Sequence, residues 1–140
     1  MMRISYLVPI LMIALSACGG STPATTAAPG IEGTWSAPLS PNGSFVLELH
    51  PGPGCAPGAA CALTGTFRDT SNGSQGQLTA GQLNGNAVHL ESTIGLKDSP
   101  TYAKCDTTLN SSGLQMAGTC SLKGIGESTP RSFQLTFTKQ

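Results

Sequence analysis

Two carboxylate–imidazole pairs are the sharpest candidates for chemistry in this chain. Glu48-x-His50 and His89-x-Glu91 each place an acid and an imidazole two residues apart, which on an extended strand puts both on one face. Only His50 and His89 can exchange protons near neutral pH without a large shift. Each pair falls on the polar face of an alternating segment, and in a simple meander the two segments would be the second and fifth strands, which do not adjoin. No GxSxG, HExxH or phosphate-cradling glycine loop accompanies them, so the expectation is no catalytic residue and no cofactor. The remaining reactive groups are five cysteines. Cys55, Cys61, Cys105 and Cys120 form an even set and Cys18 stands apart. Cys55 and Cys61 enclose a Pro/Gly-rich loop that can bend enough for a disulfide, which leaves Cys105–Cys120 across a hairpin turning near Asn110 to Gly113. Pairing centred on that turn would set Cys105 opposite Gly118, so a bulge or a longer loop has to absorb the offset. Four cysteines allow three connectivities, and the local one is expected. A metal is not expected, because neither spacing is CxxC and no histidine lies near either pair.

Cys18 has a different context. It follows Met1-Met2-Arg3, an apolar run from Tyr6 to Leu15, and the small residues Ser16 and Ala17. The run is shorter than the roughly 20 residues of a bilayer span and contains Pro9, so it reads as a cleaved signal helix. An ordinary secretory signal cut near Ala17 is the other reading. Leu15-Ser16-Ala17-Cys18 resembles the lipobox of bacterial lipoproteins. That resemblance implies cleavage before Cys18, a diacylglycerol on its sulfur and an acyl chain such as palmitate on its amine. Cys18 is then the lipidation site, and the membrane is a partner through it. Gly19 stands where enterobacterial lipoproteins retained at the inner membrane carry aspartate, which implies the outer membrane, periplasmic or surface face, in a two-membrane organism.

Residues 1–17 thus read as signal peptide and residues 18–30 as a lipidated tether. The segment 19–30 has no charge, no aromatic and no periodic apolar face, so it cannot bury enough surface to offset its ordering entropy. Residues 31–140 are one domain's worth of chain. With Arg3 removed, six Lys/Arg face seven Asp/Glu. No basic stripe exists to collect counterion-release energy, which argues against nucleic acid as a partner. An even cysteine set in an exported chain fits an oxidising compartment.

The positioning elements follow from a period of two. Phe45, Leu47 and Leu49 alternate with Ser44, Glu48 and His50, and Leu63, Gly65 and Phe67 with Thr64, Thr66 and Arg68. Val88, Leu90 and Ile94 form another inward series, as do Leu114, Met116, Gly118, Cys120 and Leu122, and then Phe133, Leu135 and Phe137. A short strand at Trp35 and a weaker one around residues 75–80 complete the set. Turn signals stand at Pro41-Asn42-Gly43, Ser71-Asn72-Gly73, Asn84-Gly85-Asn86 and Asn110 to Gly113. The reading is all-β: a small antiparallel meander of about eight strands closed into a barrel. Leu63-Thr64-Gly65-Thr66-Phe67 and Met116-Ala117-Gly118-Thr119-Cys120 share an apolar-x-Gly-Thr-apolar pattern, its glycine at an inward position where a bend or close backbone approach is expected.

Gly33-Thr34-Trp35 on the first strand resembles the opening of the calycin barrels, in which the tryptophan plugs the closed end. The Leu63 to Phe67 segment is similar to streptavidin-type chains, but the further tryptophans behind biotin binding are missing. The same opening resembles small periplasmic inhibitor lipoproteins, whose disulfide-bearing barrels bind proteases or lysozyme. The expected function is a lipid-anchored, non-catalytic envelope protein that binds a small ligand or another protein. A hollow barrel would present Trp35, Phe45, Phe67, Tyr102 and Phe133 to a ligand. A filled barrel would act through its loops as a structural or inhibitory module, residues 51–60 being the exposed feature.

Overall fold

The computed structural model describes residues 30–55, 58–96 and 98–140. Cys18, the signal segment and nearly all of the tether lie outside them. Eight strands run in chain order: β1 Gly33–Pro38, β2 Ser44–Pro51, β3 Cys61–Asp69, β4 Ser74–Asn84, β5 Ala87–Leu96, β6 Ser99–Leu109, β7 Gln115–Gly124 and β8 Arg131–Lys139. Each pairs antiparallel with the next, and β8 returns to β1 through Trp35↔Lys139 and Ser36↔Thr138 to close the barrel. Closure removes both open sheet edges.

Period-two burial creates the core. Phe45, Leu47 and Leu49 on β2 are fully buried, as are Val88, Leu90 and Ile94 on β5 and Met116, Cys120 and Phe137 on β7 and β8. At the end where the chain enters, Trp35 is fully buried and its indole N–H donates to the Ile31 carbonyl at 2.9 Å. Lys139 lies 5.6 Å from the ring centroid and donates to the Gly30 carbonyl at 2.6 Å. Eight strands enclose just enough space for side chains to fill, and in this barrel they do.

Three polar residues are buried with that core, and each has a backbone reason. Ser92 donates to the Gln77 carbonyl at 2.8 Å, beside the register shift between Leu78 and Ala80 that disturbs the β4–β5 ladder. Thr107 donates to the Val88 carbonyl at 3.5 Å. Asp69 accepts from the Ser71 amide and hydroxyl and from the Asn72 side chain, organising the β3–β4 turn.

The repeated glycines sit at close backbone approaches. A Cβ on Gly65 would fall on the Glu48 carbonyl, and one on Gly118 on the Asp106 carbonyl. Both strands coil tightly over their neighbours there, which no side-chain-bearing residue permits without a backbone shift.

Two sequence expectations need correction. Strand β4 runs Ser74–Asn84 rather than over residues 75–80 alone, because a register shift carries it past its glycines. Leu114 is not part of the inward series: it is 55% exposed in the loop before β7. The Asn110 side chain accepts from the Ser112 hydroxyl and from the amides of Leu114 and Gln115 at 3.0–3.1 Å, holding a loop wider than a tight turn. That extra length sets Cys105 directly opposite Cys120, absorbing the offset.

Candidate functional site

In an up-and-down barrel the connections alternate between ends. The β2–β3, β4–β5 and β6–β7 connections share one end with the chain's entry at Gly30, and the other four gather at the opposite end. That opposite end is the barrel mouth, with Phe45 and Phe67 buried beneath it. Phe45 begins β2, Phe67 lies near the end of β3 and Phe133 begins β8, so all three approach this mouth. Phe45 meets Phe67 at 5.1 Å and Phe133 edge-on at 6.0 Å between centroids, a spacing in the favourable range for tilted aromatic pairs.

Above these rings lies a recess of about 250 Å³. Its accessible apolar surface comes from Leu39, Pro41 and Phe133, over Phe45, Ile94 and Leu122, which are themselves buried. The rest of its lining is polar: Ser40 and Asn42 from the β1–β2 loop, Asp69, Ser71, Asn72 and Ser74 around the β3–β4 turn, Thr101, and Arg131. Most of its lining residues are polar, so it is wetter than the predominantly apolar pockets that enclose small ligands. The volume falls below the roughly 300–1,000 Å³ of sites that engulf drug-sized ligands. It admits a single side chain or a fragment of similar bulk. Arg131 approaches Glu127 at 3.9 Å with its side chain 62% exposed, so the guanidinium stays accessible.

The other two aromatics expected at a ligand lie elsewhere. Trp35 is sealed at the far end. Tyr102 is 55% exposed on the outer wall, since Ala103, Cys105 and Thr107 hold the inward positions of β6. The expected bridge from Cys105 to the inward Cys120 carries the parity that places Tyr102 outside.

Both disulfides form as expected. Cys55–Cys61 spans a Cα separation of 5.2 Å and Cys105–Cys120 one of 4.1 Å. The first closes the loop entering β3 and the second staples facing residues inside the barrel.

The two carboxylate–imidazole pairs are held apart on the outer wall. His50 lies 3.3 Å from Glu48 and 4.0 Å from Glu32. His89 is clamped more firmly: Nδ1 meets Asp106 at 2.5 Å and Nε2 meets Glu91 at 3.1 Å. Asp106 faces His89 across the β5–β6 ladder, a partner with no spacing signature in the sequence. The Asp106 hydrogen bond raises the His89 pKa above its ordinary value, partial burial opposes this, and Glu91 adds to it. The same bond holds Asp106 below the usual carboxylate range, against desolvation by burial and with help from Lys104. When both ring nitrogens donate to carboxylates, neither keeps a lone pair for accepting a substrate proton. The arrangement ties β5 to β6. No cluster of three His, Cys, Asp or Glu with metal-binding geometry occurs among the described residues.

Comparison with protein-family models, with curated proteins and with solved structures finds no match to this chain.

Proposed function

We propose that the protein is a lipid-anchored component of the bacterial cell envelope, held by Cys18 and acting as a non-catalytic binding module. Its binding face is the barrel mouth opposite the chain's entry. The observation that carries the reading is the recess whose accessible apolar surface is Leu39, Pro41 and Phe133, in a barrel whose interior is otherwise filled by side chains. A filled core favours a partner that inserts one apolar group at the mouth, a protein side chain above all, over a ligand swallowed whole. The Leu15-Ser16-Ala17-Cys18 resemblance supports the anchor, and the two disulfides support an oxidising compartment. In a two-membrane organism the outer membrane is the address.

The entry end faces the tether, so the mouth is presented away from the lipid. Thr101→Trp fills the recess without removing a core contact. Wild-type protein solubilised with its anchor should retain an envelope component that the Thr101→Trp form releases. Equal retention by both forms would contradict a site at the mouth.

A second reading keeps the partner and moves the contact to residues 51–60. The Cys55–Cys61 bridge favours it, because a pre-stiffened loop loses less entropy on binding. Cys55→Ala would then weaken retention where Thr101→Trp does not.

A further inference from the structure

A second surface, on the outer wall and remote from the mouth, carries a more specific chemistry. The registers of β1 to β4 align polar side chains in two adjacent rungs. One rung reads Thr34, Glu48, Thr66 and Gln77 across the four strands; the other reads Val46, Arg68 and Gln75. With strands about 4.8 Å apart, the longer rung spans about 14 Å. Together with Gly76 they line an open surface groove of about 540 Å³.

The hydrogen-bonding state of these side chains leaves the groove's polar atoms open to a ligand. Some exposed polar groups on the wall engage one another: His89 with Asp106 and Glu91, Gln134 with Thr119, Lys104 with Asp106. In the groove the side chains of Thr34, Thr66, Arg68, Gln75 and Gln77 make no hydrogen bond or ion pair among the described residues. Glu48 is the exception, occupied by His50 at 3.3 Å. Arg68 is diagonal to Glu48 rather than facing it, and its guanidinium is free.

We propose that this groove binds a saccharide chain bearing a carboxylate. Two primary amides and two hydroxyls supply donors and acceptors in alternation, which matches a chain of sugar hydroxyls. Arg68 offers a planar fork that takes a carboxylate in bidentate fashion. Glu48, held by His50, accepts from ligand hydroxyls. Val46 and Gly76 leave a shallow apolar floor on which a sugar ring can lie. The site stands independently of the mouth, so the two proposals fail separately.

The same chemistry is found in muramic-acid and in uronic-acid glycans, and a titration distinguishes them. Intact isotope-labelled protein in detergent micelles is titrated with a muramic-acid disaccharide, an oligogalacturonate, neutral chitobiose and an acidic peptide, following the Gln75 and Gln77 side-chain amide resonances. A carboxylated saccharide should shift both amides with a dissociation constant of millimolar order or tighter, and whichever saccharide does so more strongly identifies the source. Arg68→Ala should weaken that saccharide about tenfold, the size of one charge-assisted contact, and leave chitobiose unchanged. Thr101→Trp should leave the titration unaltered. Silence of both amides with both acidic saccharides overturns the proposal, as does an Arg68→Ala form that binds them as wild type does, or a preference for the acidic peptide.

Discussion

The surroundings of His89 shift its acid–base chemistry, and its pH behaviour can be worked out. Its pKa is raised in the fold, so its stabilising contribution is fully present below the ordinary value near 6.5 and is lost as pH rises through the raised value. Asp106 is lowered, so its contribution is present above the ordinary value near 3.8 and is lost as pH falls through the lowered one. The bridge therefore acts between those two limits. Both groups are substantially exposed, with side chains 35% and 60% accessible, which confines the coupling to a few tenths up to about 1 kcal/mol. A double-mutant cycle of His89→Ala and Asp106→Asn, read by thermal unfolding across pH, should show coupling at pH 5 to 6 that vanishes in alkaline buffer. Coupling that grows with pH would contradict this account. His50, with its longer contacts, makes a natural control.

At the scale of elements, the decisive constraints are the register of β6 against β7 and the tight coiling at two glycines. Cys105 and Cys120 are each at most 1% exposed. Cys120→Ala therefore removes a crosslink and leaves a void, whereas Cys55→Ala releases a short surface loop. In the chain-entropy picture a loop of about fifteen residues contributes roughly 3 kcal/mol. Cys120→Ala should lower the melting temperature by on the order of 10 °C, and Cys55→Ala by clearly less. The reverse order would show that the staple between β6 and β7 is not the important one. Gly65→Ala and Gly118→Ala drive a methyl into a neighbouring carbonyl and should each cost about 2 kcal/mol or more in urea unfolding. Gly73→Ala has open space around its Cβ, though φ is 75°, and should cost less.

These elements also show where the sequence is readable. The alternation from Phe45 to Leu49 and from Val88 to Ile94 specifies strand, face and core at once, because a one-residue slip would turn each series to solvent. Gly65 and Gly118 are legible as bends because an inward glycine has no packing reason to be there. Leu114 misleads, since apolar character alone does not reveal that Asn110 collects three donors and widens the loop. Ser92 and Asp69 are invisible as core residues because their burial depends on backbone groups left by a register shift and a turn. The mouth draws one residue or a few from each of many strands, and the outer groove aligns side chains across four. Neither assembly has a linear spacing to detect. Asp106 illustrates the point: it meets His89 only through the β5–β6 register.

For the whole molecule, the up-and-down order separates three surfaces. One end receives the chain at Gly30, the opposite end presents the recess, and the wall between them carries the polar groove. Anchoring is tested by Cys18→Ser, which should abolish labelling by a fatty-acid probe and leave precursor or soluble protein; undiminished labelling would remove the lipid from the account. The central claim, that the mouth is the binding face, is tested most directly by photo-crosslinking in living cells. A photoreactive amino acid replaces Asn42 at the mouth rim in one strain and Asn86, in the turn at the opposite end, in another, each in the otherwise intact full-length protein. The account predicts a discrete crosslinked adduct from position 42, suppressed by Thr101→Trp, and none from position 86. An adduct from position 86 alone, or one from position 42 that persists when Thr101→Trp fills the recess, would contradict it.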